Sequence, residues 1–146
     1  MDTILVQASD YPWTMEALHL ACGLARRRGT HITLLRLIPV QPHWLGTDFG
    51  LAIVSFHEWK NLSEYHATAE DYGVELVFQP MQYISFHDAV IQAVSFLKAA
   101  IAFVDIPSSS FSWWDRFRIR GLERRLAKVN CHLQTLHTIP RLMLPS

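Results

Sequence analysis

The chain has 146 residues, half of them apolar, and its 13 Lys and Arg balance 13 Asp and Glu to a formal charge of zero. That length suits one domain with its own core, needing neither disulfides nor a structural metal, and so large an apolar share argues against disorder. The balanced charge argues against a dedicated nucleic-acid binder, which needs an excess of cations to neutralise phosphates.

Thr3 to Ala8 (TILVQA) is a short apolar run that reads as a strand, broken by Ser9-Asp10-Tyr11-Pro12. A helix follows from about Trp13 to Arg28, with Met15, Leu18, Cys22 and Ala25 at helical spacing. Arg26, Arg27 and Arg28 suit its end, where cations meet the negative pole of the helix dipole, and Gly29 supplies the stop. His31 to Ile38 (HITLLRLI) is a second strand, closed by Pro39 and Pro42. Residues 40–54 form a long connection, and a second helix runs from about Ser55 to Tyr72, ended by Gly73.

Val74 to Gln79 (VELVFQ) is the third strand. Ser85 is the expected N-cap of a third helix, with Asp88 completing an approximate capping box and Val90, Val94 and Leu97 forming the apolar face. Ala100 to Val104 is apolar throughout, as a central parallel strand covered on both faces should be. A polar loop over Ile106 to Ser112 leads to a last helix from about Trp114 to Lys128 and a fifth strand over His132 to His137. Residues 1–138 read as one domain and 139–146, with Pro140 and Pro145, as a C-terminal tail. Strands separated by helical crossovers pair in parallel, so the fold class is α/β: an open five-stranded parallel sheet with helices on both faces.

Cys22 and Cys131 form no CxxC pair and read as small buried hydrophobes, which fits a reducing, cytoplasmic compartment. No basic region followed by an apolar stretch opens the chain, so no signal peptide is expected. No apolar run reaches about 18 residues, so no membrane span is expected either. The eight histidines make no ligand set: His132 and His137 would point to opposite faces of a strand, and His57 and His66 are too far apart on a helix to pair.

The first forty residues carry a resemblance. Ile4-Leu5-Val6, Thr14-Met15-Glu16-Ala17-Leu18, Ala25-Arg26-Arg27-Arg28-Gly29, Ile32-Thr33-Leu34-Leu35 and Pro39 together resemble the universal stress proteins, and Glu123-Arg124 with Cys131 is similar to that family's final helix and strand. The resemblance implies a strand order of 3-2-1-4-5 (an adenine nucleotide alpha hydrolase-like fold), frequent homodimers, and ATP or a related nucleotide as the ligand of some members. Several residues depart from the ATP-binding pattern. Ser9 stands where those members carry an Asp, with Asp10 one step later. Asp105-Ile106-Pro107-Ser108-Ser109-Ser110 replaces a Gly-rich phosphate loop, and Ile119-Arg120 stands where a Gly-Ser or Gly-Thr opens the last helix. Glycine lets backbone N–H groups approach a phosphate, whereas Asp105 would repel it and Pro107 offers no donor.

With the implied order, the winding direction reverses between strands one and four, where ligands of open α/β sheets sit. Ser9, Asp10, Asp105, Ser108, Ser109 and Ser110 would converge there, either as a polar pocket or simply as turn and cap residues. Arg120, Arg124 and Lys128 share one face of the last helix, opposite Leu122, Leu126 and Val129. Arg120 reads either as a substitute anion ligand or as surface charge. Trp113, Trp114, Phe117 and Arg124 read as a partner surface, since two adjacent tryptophans in a polar loop cannot easily both turn inward. The expected function is a signalling or stress-response module acting through dimerisation or a protein partner, with its nucleotide site lost or altered and no resident cofactor or catalytic residue. The alternative is a sensor of a nucleotide or another anion at the ends of strands one and four.

Overall fold

The computed structural model describes residues 2–40, 56–106 and 112–136. The connection expected after Val40, the segment Pro107, Ser108, Ser109 and Ser110, the side chain of Trp113 and the C-terminal tail lie outside the described residues. In chain order the elements are β1 (Thr3–Gln7), α1 (Tyr11–Arg28), β2 (Ile32–Pro39), α2 (Phe56–Tyr72), β3 (Leu76–Tyr83), α3 (Phe86–Leu97), β4 (Ala99–Phe103), α4 (Ser112–Ala127) and β5 (His132–Gln134). The strands form one sheet in the order β3-β2-β1-β4-β5, and every pairing is parallel.

β1 lies at the centre, and its side chains alternate between two cores. Ile4 and Val6 face the cluster made with α1 and α2, where Ala17, Leu18, Ala21 and Cys22 are fully buried. Leu5 faces the cluster made with α3 and α4, which buries Val90, Val94, Leu122 and Leu126. Burial on both sides explains why β1 and β4 lack a polar face. Two buried polar residues, Thr3 and Thr33, satisfy each other: their hydroxyls are 2.9 Å apart, and Thr3 also donates to the His31 carbonyl.

α1 starts at Tyr11, two residues earlier than its spacing suggests. Asp10 is the N-cap, its carboxylate accepting the Trp13 N–H at 2.9 Å, and Pro12 fits the first turn, where a missing N–H is harmless. Gly29 ends the helix at φ 67°, and its N–H bonds the Ala25 carbonyl.

Three local expectations are corrected. β3 begins two residues late and continues through Pro80 to Tyr83. The proline is tolerated because β3 is an edge strand. The Ile32 and Val40 N–H groups donate to the Glu75 and Tyr83 carbonyls, both at 2.9 Å, so odd-numbered residues of β3 turn their backbone groups toward β2. Pro80 therefore turns its nitrogen outward. Ser85 occupies the N-cap of α3 but makes no side-chain cap bond. Asp88, three residues on, keeps a side-chain hydrogen bond with Ser85 and also accepts a 2.8 Å hydrogen bond from Arg125 of α4. β5 keeps three residues of the expected six.

Candidate functional site

β1 sits between β2 and β4, so the chain leaves its central strands in opposite directions and opens a crevice at their C-terminal ends. Polar groups at the described ends of these strands bind one another. The Ser9 hydroxyl donates to Asp105 Oδ2 at 2.5 Å. Gln7, the last residue of β1, accepts the Asp105 N–H on Oε1 at 2.9 Å. The Ser9 N–H reaches Thr14 Oγ1, also at 2.9 Å. A backbone donor that could have met an anion is thus occupied, and a carboxylate stands beside it.

The expected site residues separate accordingly. Ser9 and Asp105 come together. Asp10 turns to the N-terminus of α1 and serves as its cap. Arg120 is exposed on the outer face of α4. Ser108, Ser109 and Ser110 lie outside the described residues.

A second feature, which the sequence reading missed, lies on the α1/α2 side of the sheet. A cleft of about 190 Å³ has Ser9, Arg36, Glu58, Asn61, Tyr65 and Phe78 in its wall. Arg36 follows Leu34 on the same face of β2, just past the buried core. Its guanidinium meets Glu58 of α2 as a fork, Nη2 donating to Oε1 at 2.9 Å and Nη1 lying 2.6 Å from Oε2. The two side chains are 24% and 40% exposed. Tyr65 is buried behind them, and its ring stacks on Tyr11 with centroids 6.0 Å apart. Burial pushes the Tyr65 phenol up from its ordinary pKa, and a hydrogen bond with Thr14 partly opposes this. One signal in the sequence pointed here: Arg36 is the single charge inside the run HITLLRLI, and a charge within a covered strand requires a partner.

The outer face of α4 is the third candidate. Arg116, Arg118, Arg120, Arg124 and Lys128 are exposed along it. Trp114 and Phe117 are 46% and 66% exposed, while Leu122 and Leu126 are buried beneath. Burial lowers the His87 pKa on neighbouring α3, and the Arg118 and Arg125 charges lower it further. Burial raises the Cys22 and Cys131 thiols to about 11, which keeps both protonated and poorly nucleophilic at neutral pH. Among the described residues, no group of three His, Cys, Asp or Glu could hold a metal ion. None of the described helices is long and apolar enough to cross a membrane.

No protein-family model matches the chain, and no curated protein matches it in sequence. Solved structures do match. A universal stress protein in complex with cAMP is 16% identical, with a TM-score of 0.61 over 94% of this chain and 98% of its own. The universal stress protein of Archaeoglobus fulgidus in complex with dAMP is 15% identical, with a TM-score of 0.60 over 92% and 97%. A universal stress family protein from Burkholderia pseudomallei is 15% identical, also at 0.60, over 92% and 95%. Likeness at this level of identity is a likeness of architecture, and the architecture is that of the universal stress proteins.

Proposed function

We infer that the protein is a non-enzymatic signalling or stress-response module of the universal stress type, acting through self-association or a protein partner, with the triphosphate-binding function of its crevice lost. One observation carries this reading: the 2.5 Å bond from Ser9 to Asp105 at the ends of β1 and β4. A phosphate approaching that point meets the Asp105 carboxylate, and like charges in a partly desolvated site repel strongly. The Asp105 N–H, bound to Gln7, is not available to it.

A second reading keeps the same fold as a sensor of a nucleotide or another anion. Its support is that neighbours of this architecture have been solved with cAMP and with dAMP. Thermal unfolding with ATP, ADP, AMP and cAMP separates the two. The first reading expects an unchanged Tm with every nucleotide. A rise of several degrees with any of them would replace it by the second, because a ligand that binds only the folded state stabilises it.

A further inference from the structure

We propose that the outer face of α4 docks an acidic amphipathic helix of a partner protein, seated across Gly121. The proposal rests on the partner-binding reading above and gives it a surface and a partner chemistry.

Charge comes first. Residues 112–128 hold six Arg and Lys against two Asp and Glu, so the rest of this neutral chain holds seven against eleven. The positive excess is therefore concentrated on one helix. Arg125 is committed to Asp88 of α3. Arg116, Arg118, Arg120, Arg124 and Lys128 are exposed and make no ion pair among the described residues. Cations without counter-charges build a local potential that draws in an acidic partner. Two copies meeting α4 to α4 would set like charges against like, which points to a different chain.

Gly121 comes second. It stands inside α4, where glycine is a poorer helix former than alanine. The chain's own fold does not require it. Its φ is not left-handed, and a Cβ built there meets nothing within 4 Å beyond its chain neighbours and its own helix backbone. Among the described residues it is the only exposed glycine in a helix interior. Helical spacing puts Phe117 one turn before it and Arg124 one turn after. The missing side chain leaves a notch in the ridge of α4. Side chains at the contact set how closely two helices approach, so the notch admits another helix at short range.

The notch decides between partners. A lipid bilayer or a nucleic-acid strand could use the cations and the exposed rings of Trp114 and Phe117, but neither brings a ridge that fills it. A helix does. Its small apolar residues would enter the notch and meet the rings, and its carboxylates would pair with the arginines around them, the arrangement of an apolar centre within a charged rim. Leu122 and Leu126 pin α4 to the core beneath, so this face is presented without rearrangement of the fold.

The test uses the whole chain and three labelled peptides of about 20 residues, long enough to cross α4. The first carries Ala and Leu along one helical face with Glu on its flanks. The second replaces every Glu by Lys, and the third scrambles the first. The Glu helix is expected to bind at least about tenfold tighter than its scramble, losing affinity as salt rises, and the Lys helix is not expected to bind. Gly121→Leu should weaken the Glu helix at least about tenfold while Tm stays level or rises, since leucine is the better helix former; a loosened fold would lower Tm instead. Arg120→Glu with Arg124→Glu should transfer the preference to the Lys helix. The proposal fails if the Glu helix, at about 0.1 mM, leaves the backbone amide resonances of Phe117 and Gly121 unmoved. It fails equally if the scramble binds as well, or if Gly121→Leu binds as tightly as the parent chain. Tighter binding to phosphatidylserine vesicles or to a single-stranded RNA oligonucleotide would overturn it in favour of those partners. A dimer of the chain alone that Gly121→Leu splits would overturn it in favour of a second copy. A rise in Tm with nucleotides would sink the inferred loss of triphosphate binding and leave this docking face standing, whereas inert peptides beside inert nucleotides would do the reverse.

Discussion

Ser9 belongs to both features at the ends of the central strands, since its hydroxyl reaches Asp105 across the crevice while the residue itself lines the Arg36 cleft. A hydrogen bond to an ionised group contributes about 1.5–3 kcal/mol when enclosed, and less where solvent reaches it. Ser9→Ala should therefore destabilise the fold by about 1–2 kcal/mol, lowering Tm by about 2–8 °C for a chain of this size. Calorimetry showing no change would mean that the Asp105 carboxylate finds equivalent donors elsewhere. Ser9 and Asp105 were legible in the sequence because the resemblance implied the strand order, and that order places the winding reversal at the strand ends where they stand. Asp10 was misleading for a local reason: a carboxylate two residues before a proline also makes a good helix cap, and the cap is where it went. The Arg36–Glu58 pair was not legible, because its partners are 22 residues apart and meet only once α2 has docked on the sheet.

α4 shows the same divide at the level of an element. Its apolar positions were readable from spacing, and Leu122 and Leu126 are fully buried among its described side chains. They belong to the second half of the helix, whereas the described side chains of its first two turns, Trp114, Arg116, Phe117 and Arg118, are all exposed. Exposed aromatic side chains among arginines make a surface suited to a partner, in which Trp, Phe and Arg are over-represented. If self-association runs through this surface, Trp114→Ser with Phe117→Ser should turn a dimer into a monomer in sedimentation velocity. A sedimentation profile identical to that of the unaltered chain would rule the surface out. The order of the strands and helices followed from hydrophobic periodicity, but their ends did not. β3 outran its expected limit because an edge strand accepts Pro80, a tertiary circumstance that local propensity does not contain.

Taken whole, the molecule is a sheet between two cores, with one cysteine in each: Cys22 on the α1/α2 side and Cys131 on the α3/α4 side. Both thiols sit near 11 in the folded chain against an ordinary 9. Below pH 9 folded and unfolded chains hold these protons alike; between 9 and 11 the unfolded chain gives them up first, so stability falls as pH rises. The urea midpoint should drop between pH 8.5 and 10.5, and the double variant Cys22→Ala/Cys131→Ala should show a shallower drop despite a lower starting value. Parallel slopes for the two proteins would assign the loss to other groups.

Pro80 has a consequence for assembly. With its nitrogen facing outward from β3, the rim of the sheet on that side lacks a donor midway along, and a foreign strand laid against it could not complete a ladder. Among the described residues, β5 is the other edge of the sheet, and its strand His132–Gln134 contains no proline. Two copies joined there would present proline-bearing rims at both outer ends, so that growth terminates at a pair and cannot run on into a fibre.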